Sequence, residues 1–222
     1  MKFTWRTELV SWLLLAYMFA LGAWTWSVAP ERIPIHWGIT GQPDRYGGKV
    51  EAILLPLALA LGLYLLLLVL PRFDPRYAHY RFFSGVYHLI RTVLVAFFAA
   101  VYTTMMLWAR SVQVDTSVIV PLMVGLLFVI LGNYMGKLRS TWFVGIRTPW
   151  TLSSEESWNK THRLGGKVFA VLGFVFIAAS LLKMEWAFYT AFGLLGAGVI
   201  FLVIYSYFIW RQDTRRTLAD KT

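Results

Sequence analysis

The chain contains no cysteine, which excludes disulfides, thiolate nucleophiles and cysteine-ligated metals. Charge is scarce as well. Only 14% of the 222 residues are charged, where soluble domains carry about 25%. Acids are the scarcer sign, 11 Asp and Glu against 21 Lys and Arg, for a net charge of +10. Familiar catalytic signatures are missing too. There is no GxSxG elbow, P-loop, dinucleotide fingerprint or HExxH. What fills the chain is apolar, 58% of it, in several runs longer than the ~20 residues that cross a bilayer as a helix. This composition specifies an all-α integral membrane protein. The net charge is explained by basic residues at the ends of apolar runs, so direct nucleic-acid binding is not expected.

Six spans are expected, at about 9–29, 50–70, 86–109, 118–135, 168–182 and 186–210. The first eight residues form a short polar head. Ser27-Val28-Ala29 offers the small residues of a cleavage site, but Pro30 would follow the cut, so the first run is read as a retained helix. Pro56 is expected to kink the second span. Between the first two spans, Pro30, Pro34 and Pro43 exclude a continuous helix, and Gly41, Gly47 and Gly48 favour turns. With six spans both termini share a side. That side receives 15 of the 21 basic residues and the other receives five, with Arg91 inside the third span. The positive-inside rule then puts both termini in the cytoplasm, loop 30–49 outside and loop 136–167 inside.

Apart from Arg91, the middles of the spans carry no ionisable side chain, which counts against an ion-coupled pump. Arg91 sits near its interface and is expected to snorkel. The four histidines are His36, His79, His88 and His162. His36 and Asp44 could meet across the outer loop, but two ligands do not make a zinc site. No metal or cofactor is expected.

The longest polar interval, residues 132–167, reads GNYMGKLRSTWFVGIRTPWTLSSEESWNKTHRLGGK. It holds six of the basic residues together with Trp142, Trp150 and Trp158. One reading is a basic loop that only fixes topology; the other is a folded recognition element. Ser153 with Glu156 fits a capping box, which starts a helix near Ser154 that runs toward Gly165. Glu156 and Lys160 form an i,i+4 pair. Trp158 and His162 share a face, and Asn159 and Arg163 share the neighbouring one. Arg147, before the Thr148-Pro149-Trp150 corner, presents a planar fork suited to a carboxylate or phosphate. A lipid headgroup, a helix C-terminus and a partner's acid all qualify.

GIRTPWT and ESWNKTHRLGGK closely resemble the signature of the SdpI family, bacterial immunity proteins against a secreted sporulation-delaying toxin. IPIHWGITGQPDRYGGK resembles the outer-loop signature of a small domain of unknown function that often precedes it. The resemblance implies a bacterial plasma-membrane protein that protects its host from an antimicrobial peptide. It further implies, for some members, capture of an ArsR-type winged-helix repressor at the membrane. The chain divides accordingly into a two-helix region, 1–85, and an SdpI-like four-helix region, 86–222. Under this reading the external candidates for binding the toxin are His36, Trp37, Gly41, Asp44, Arg45 and Lys49. The cytoplasmic candidates are Gly145, Arg147, Thr148, Pro149, Trp150, Trp158, Asn159, His162 and Arg163. Membrane lipids are the remaining partners. A facilitative transporter of an amphipathic solute or lipid is the alternative, and a membrane enzyme ranks last because no nucleophile, base and metal set is visible.

An internal echo stands apart from the family. Arg45-Tyr46-Gly47-Gly48-Lys49-Val50 matches Arg163-Leu164-Gly165-Gly166-Lys167-Val168 at five of six positions. Each block closes a long polar loop and opens an apolar run, on opposite faces. An inverted 3+3 repeat would leave this pattern and would put Lys49 and Lys167 at equivalent helix starts. The competing explanation is that Gly-Gly-Lys is a common entry to a membrane helix.

Overall fold

The computed structural model describes residues 5–219. Lys2 and Lys221, and the side chain of Arg6, counted above for topology, lie outside the described residues. Among the described residues, six helices are long and apolar enough to cross a membrane. The first, α1, runs Trp5–Trp26. Its last carbonyls are taken up by cations from elsewhere. Lys49 Nζ donates to Trp26 O and Arg110 Nη1 to Trp24 O, both at 3.3 Å. The Arg110 guanidinium also lies 3.4 Å from the Trp24 ring centroid. Cations at a helix C-terminus satisfy orphan carbonyls and oppose the dipole.

Loop 30–49 is more ordered than its prolines and glycines suggest. β1 (Ile33–Trp37) and β2 (Pro43–Gly47) pair antiparallel, with a register shift between Pro34 and His36. Pro34 and Pro43 are tolerated because a two-stranded ribbon has free edges. Gly41 closes the turn at φ +77°, a conformation that other residues rarely adopt. Its carbonyl accepts from Thr116 Oγ1 at 2.8 Å, which ties the turn to the start of the fourth span.

The kink expected at Pro56 takes the form of a π-turn, Val50–Leu54, ahead of α2 (Leu55–Val69). The Leu55 N–H reaches Val50 O there, so the register slips one residue before the proline arrives. Short 3₁₀ turns at Leu70–Phe73 and Tyr77–Phe83 lead into α3 (Ser84–Ala109). Then follow α4 (Thr116–Met135), α5 (Pro149–Ser153), α6 (Glu155–Leu182) and α7 (Glu185–Ala219). Two boundaries correct the sequence reading. The inner helix and the fifth span are one helix, α6, because Gly165 and Gly166 lie inside it and are packed rather than loop-forming. The sixth span also continues well past Trp210. At ~1.5 Å per residue, α7 is about 52 Å long, more than the ~30 Å hydrocarbon layer.

Packing divides the bundle into two lobes joined at α3 and α4. In the first, α3 lies along α1 and α2, and Met18, Ile53, Ala60, Tyr64, Tyr102 and Met106 are buried between them. In the second, α6 is central, against α4 on one side and α7 on the other. The α4–α6 contact is the tightest because glycines meet there. A Cβ on Gly132 would come within 2.7 Å of Gly166 O, and one on Gly125 within 2.6 Å of Gly173 O. Small residues let membrane helices approach backbone to backbone, where dispersion and lipid displacement hold them.

The inverted repeat does not survive this architecture. Lys49 precedes the first turn of its helix, whereas Lys167 lies thirteen residues into α6. In the first half the outer spans α1 and α3 pack together. In the second the outer spans α4 and α7 are separated by α6. The Gly-Gly-Lys match therefore reflects two unrelated uses: one block enters a helix, and the other supplies the glycines of the α4–α6 seam.

Arg91 also departs from expectation. It does not snorkel but is buried, paired with Glu8 of α1. Glu8, assigned to the polar head, is itself buried inside the helix. It also accepts from Tyr64 Oη at 3.0 Å, and His88 Nδ1 stands 3.5 Å away. The tyrosine and arginine come from α2 and α3, so one carboxylate joins all three helices of the first lobe.

Candidate functional site

At one end of the bundle, residues 136–158 fold into a compact platform. Its centre is Trp158, fully buried and stacked on His162 with ring centroids 4.0 Å apart. Trp158 Nε1 donates to Leu138 O at 2.9 Å. His162 uses both ring nitrogens. Nε2 accepts the Ile146 N–H at 2.9 Å, which requires that nitrogen to be unprotonated, while Nδ1 donates to Trp158 O at 2.8 Å. The imidazole is thereby held as one neutral tautomer that clips loop 139–148 onto α6. Gly145 makes the clip possible. Its φ is +119°, and a methyl there would overlap His162 Nε2 and lie 2.9 Å from Trp158 Cη2.

The Thr148-Pro149-Trp150 corner is a helix start. Thr148 caps α5, accepting from Thr151 N at 3.1 Å, while Thr151 Oγ1 accepts from Thr148 N at 2.9 Å. Pro149 occupies the first helical position, where a missing N–H costs nothing. Thr148 Oγ1 also meets Ser206 Oγ at 3.0 Å, and Trp150 packs edge-on to Tyr207, which docks α5 on α7. The N-cap of α6 is Ser154, not Ser153 as expected. Ser154 Oγ accepts from Ser157 N at 2.9 Å and donates to Asp213 at 2.6 Å. The inserted turn of α5 consumes Ser153 and moves the cap on by one. Glu156 instead pairs with Lys160 at 2.6 Å, as the i,i+4 spacing requires.

Partners from the 70–83 turns complete the platform. They were missed in the sequence because nothing local marks them. Asp74 is buried and accepts from Tyr80 Oη at 2.9 Å and Trp142 N at 3.0 Å. Arg76 reaches Ser140 Oγ and Leu152 O, and His79 bonds Ser140 O at 2.7 Å. Of the inner candidates, Gly145, Thr148, Pro149, Trp150, Trp158 and His162 are therefore structural members of one body. Arg147, Asn159 and Arg163 are exposed. Arg147 donates to Trp142 O at 2.9 Å and otherwise faces outward beside exposed Trp142.

At the opposite end the hairpin brings His36 and Asp44 together at 2.6 Å, both exposed. Among the described residues no group of three metal-ligating side chains forms. Arg45 is exposed beside them, whereas Lys49 and Gly41 serve the α1 and α4 contacts described above. Trp37 packs on Trp108 at 6.1 Å. Below β1 lies a cavity of about 310 Å³ bounded by α3, α4 and α7. Its walls are mainly apolar, among them Val101, Met105, Val120, Pro121, Phe188 and Phe192, with His36 and Trp37 at the hairpin side. The cavity was not legible from the outer loop alone, since most of its wall comes from helices far away in sequence.

Six spans, a hairpin at one end and an internally bonded platform at the other define a multi-pass membrane protein. Residues 137–206 match the model of the SdpI/YfhL protein family, and residues 13–60 match a domain of unknown function, DUF1648. Immunity protein SdpI of Bacillus subtilis (strain 168) is 21% identical over 181 residues, 82% of this chain and 84% of that protein. An uncharacterized protein of Archaeoglobus fulgidus is 30% identical over 57 residues, 26% of this chain and 31% of that protein. No solved structure matches.

Proposed function

We propose that the protein is a membrane immunity and signalling protein that binds a secreted antimicrobial peptide outside and responds through its cytoplasmic platform. The similar protein in Bacillus subtilis is named for immunity, and the reading as a binding protein rather than an enzyme rests on that likeness. The observation that carries it is the apolar cavity under the outer hairpin. A cavity of about 310 Å³ takes one or two large side chains and excludes water from them. His36, Asp44 and Arg45 at the adjoining hairpin surface supply charge for the polar part of a peptide. Bonded through Thr116 to α4, the hairpin is mechanically joined to the helix whose far end, Gly136, opens the platform. Peptide binding would thus bias α4, and the platform would present Arg147 and Trp142 to a repressor of the ArsR type.

The test is expression in a strain sensitive to a sporulation-delaying peptide, followed by challenge. Wild type is expected to raise survival. Val120→Trp, which fills the cavity, is expected to abolish protection at equal membrane abundance, while Arg215→Gln in the tail retains it. Equal protection by Val120→Trp would reject the cavity as the toxin site. Co-fractionation of a co-expressed ArsR-type repressor with membranes, lost on Arg147→Lys, tests the response arm.

A further inference from the structure

The platform end carries a second concavity that the immunity reading does not use. It is a cleft of about 800 Å³ between the 77–83 turn, the end of α4 and the first turns of α6. One wall is cationic: Lys137, Arg139, Lys160 and Arg163. Lys160 is engaged by Glu156, but Lys137, Arg139 and Arg163 make no ion pair among the described residues. The other wall is apolar, formed by Phe82, Phe83 and Val86, with Phe82 61% exposed. Gly136 lies between the two, in contact range of the stem of Arg163.

Position decides what such a cleft can hold. Gly136 is the C-cap of α4, and Val86 lies in the first turn of α3. The cleft therefore sits where two membrane-crossing helices leave the apolar layer. A ligand there must place an anion within reach of three uncompensated cations and hydrocarbon against Phe82 at the same time. A soluble anion meets only the first requirement, and an acidic peptide would leave the phenylalanine wall against water. Guanidinium groups bind phosphate oxygens through paired N–H donors, and basic residues just inside a membrane gather anionic headgroups. We propose that this cleft is a binding site for the phosphate headgroup of an anionic phospholipid, with Arg139 and Arg163 as its principal donors and Phe82 against its glycerol and upper chains.

The full-length protein, purified and delipidated in detergent, can be titrated with phosphatidylglycerol or phosphatidylcholine and read by native mass spectrometry. Wild type is expected to retain one phosphatidylglycerol in preference to phosphatidylcholine. Arg139→Gln/Arg163→Gln is expected to bind it roughly thirtyfold more weakly, from about 1 kcal/mol for each of the two basic residues at an anionic surface. Arg139→Lys/Arg163→Lys, which keeps the charge, is expected to fall between, and Arg215→Gln to match wild type. Both arginines are exposed, so the variants should fold, and an unchanged thermal midpoint without lipid verifies this. Millimolar inorganic phosphate is expected not to displace the lipid. Retention that is equal in wild type and the Gln pair, or equal for the two lipids, overturns the proposal. Displacement by phosphate alone would reassign the cleft to a soluble anion and equally overturn it.

Discussion

Glu8 and Arg91, 83 positions apart, form an ion pair inside the first lobe with both side chains buried. Neither side chain has bulk water as an alternative partner, so each is the other's electrostatic compensation. Removing one partner leaves a buried charge uncompensated, which typically costs about 3–5 kcal/mol. Replacing both with apolar groups of similar bulk is often neutral. Glu8→Gln should therefore lower the thermal midpoint in detergent sharply, and Arg91→Met alone should do the same. The double variant Glu8→Leu/Arg91→Met should recover much of the loss. A double variant as unstable as the sum of the singles would mean the pair is not coupled, and the burial would need another explanation.

This pair marks the limit of sequence reading. The six spans were legible because hydropathy reports burial in lipid directly, and each expected span overlaps a helix in the structure. Arg91 was visible as an anomaly, but its partner was not. Glu8 lies only eight residues from the start and looked like solvated head. Only the packing of α1 along α3 brings them together. The platform was similarly half legible. The i,i+4 spacing placed Trp158 over His162 and Glu156 beside Lys160, because those are local helix facts. Asp74, Arg76 and His79, which brace it, reach across sequence separations of 61 to 76 residues and carry no motif. The Gly-Gly-Lys echo misled for the opposite reason. A short local string is cheap, and tertiary packing gave its two copies different work.

Gly145 offers a direct test of the platform. Its positive φ and the atoms of His162 and Trp158 around it leave no room for a side chain. Gly145→Ala should displace the loop, break the Ile146–His162 bond and expose the 139–148 backbone. Limited proteolysis should then cut between Arg139 and Arg147 several times faster than in wild type, with the helical content of the spans unchanged. His162→Ala should give the same cleavage pattern by removing the acceptor from the other side. His162→Gln, whose amide can still accept from Ile146 N–H, should be milder. If Gly145→Ala is cut no faster than wild type, the loop is held by the 70–83 contacts alone and the clip is dispensable.

Sidedness rests on charge asymmetry, and the structure selects where to probe it. By sequence, 15 of the 21 basic residues are assigned to the side of loop 136–167 and five to the side of loop 30–49. The absence of cysteine makes single-cysteine labelling clean. Thr40, at the tip of the hairpin, is exposed, so Thr40→Cys reports the hairpin side. On the platform, Ser157 would be a poor reporter, since it is buried and donates to Ser206 O at 2.8 Å. Ser153 is exposed, and its hydroxyl only meets Trp150 O within the same turn at 3.3 Å. Ser153→Cys is therefore the matching probe. With an impermeant maleimide on intact cells, Thr40→Cys should label and Ser153→Cys should not until the membrane is opened. The reverse pattern would place the basic platform outside, against the inward preference of flanking Lys and Arg. It would also move the 310 Å³ cavity to the cytoplasmic face, where no secreted peptide could reach it.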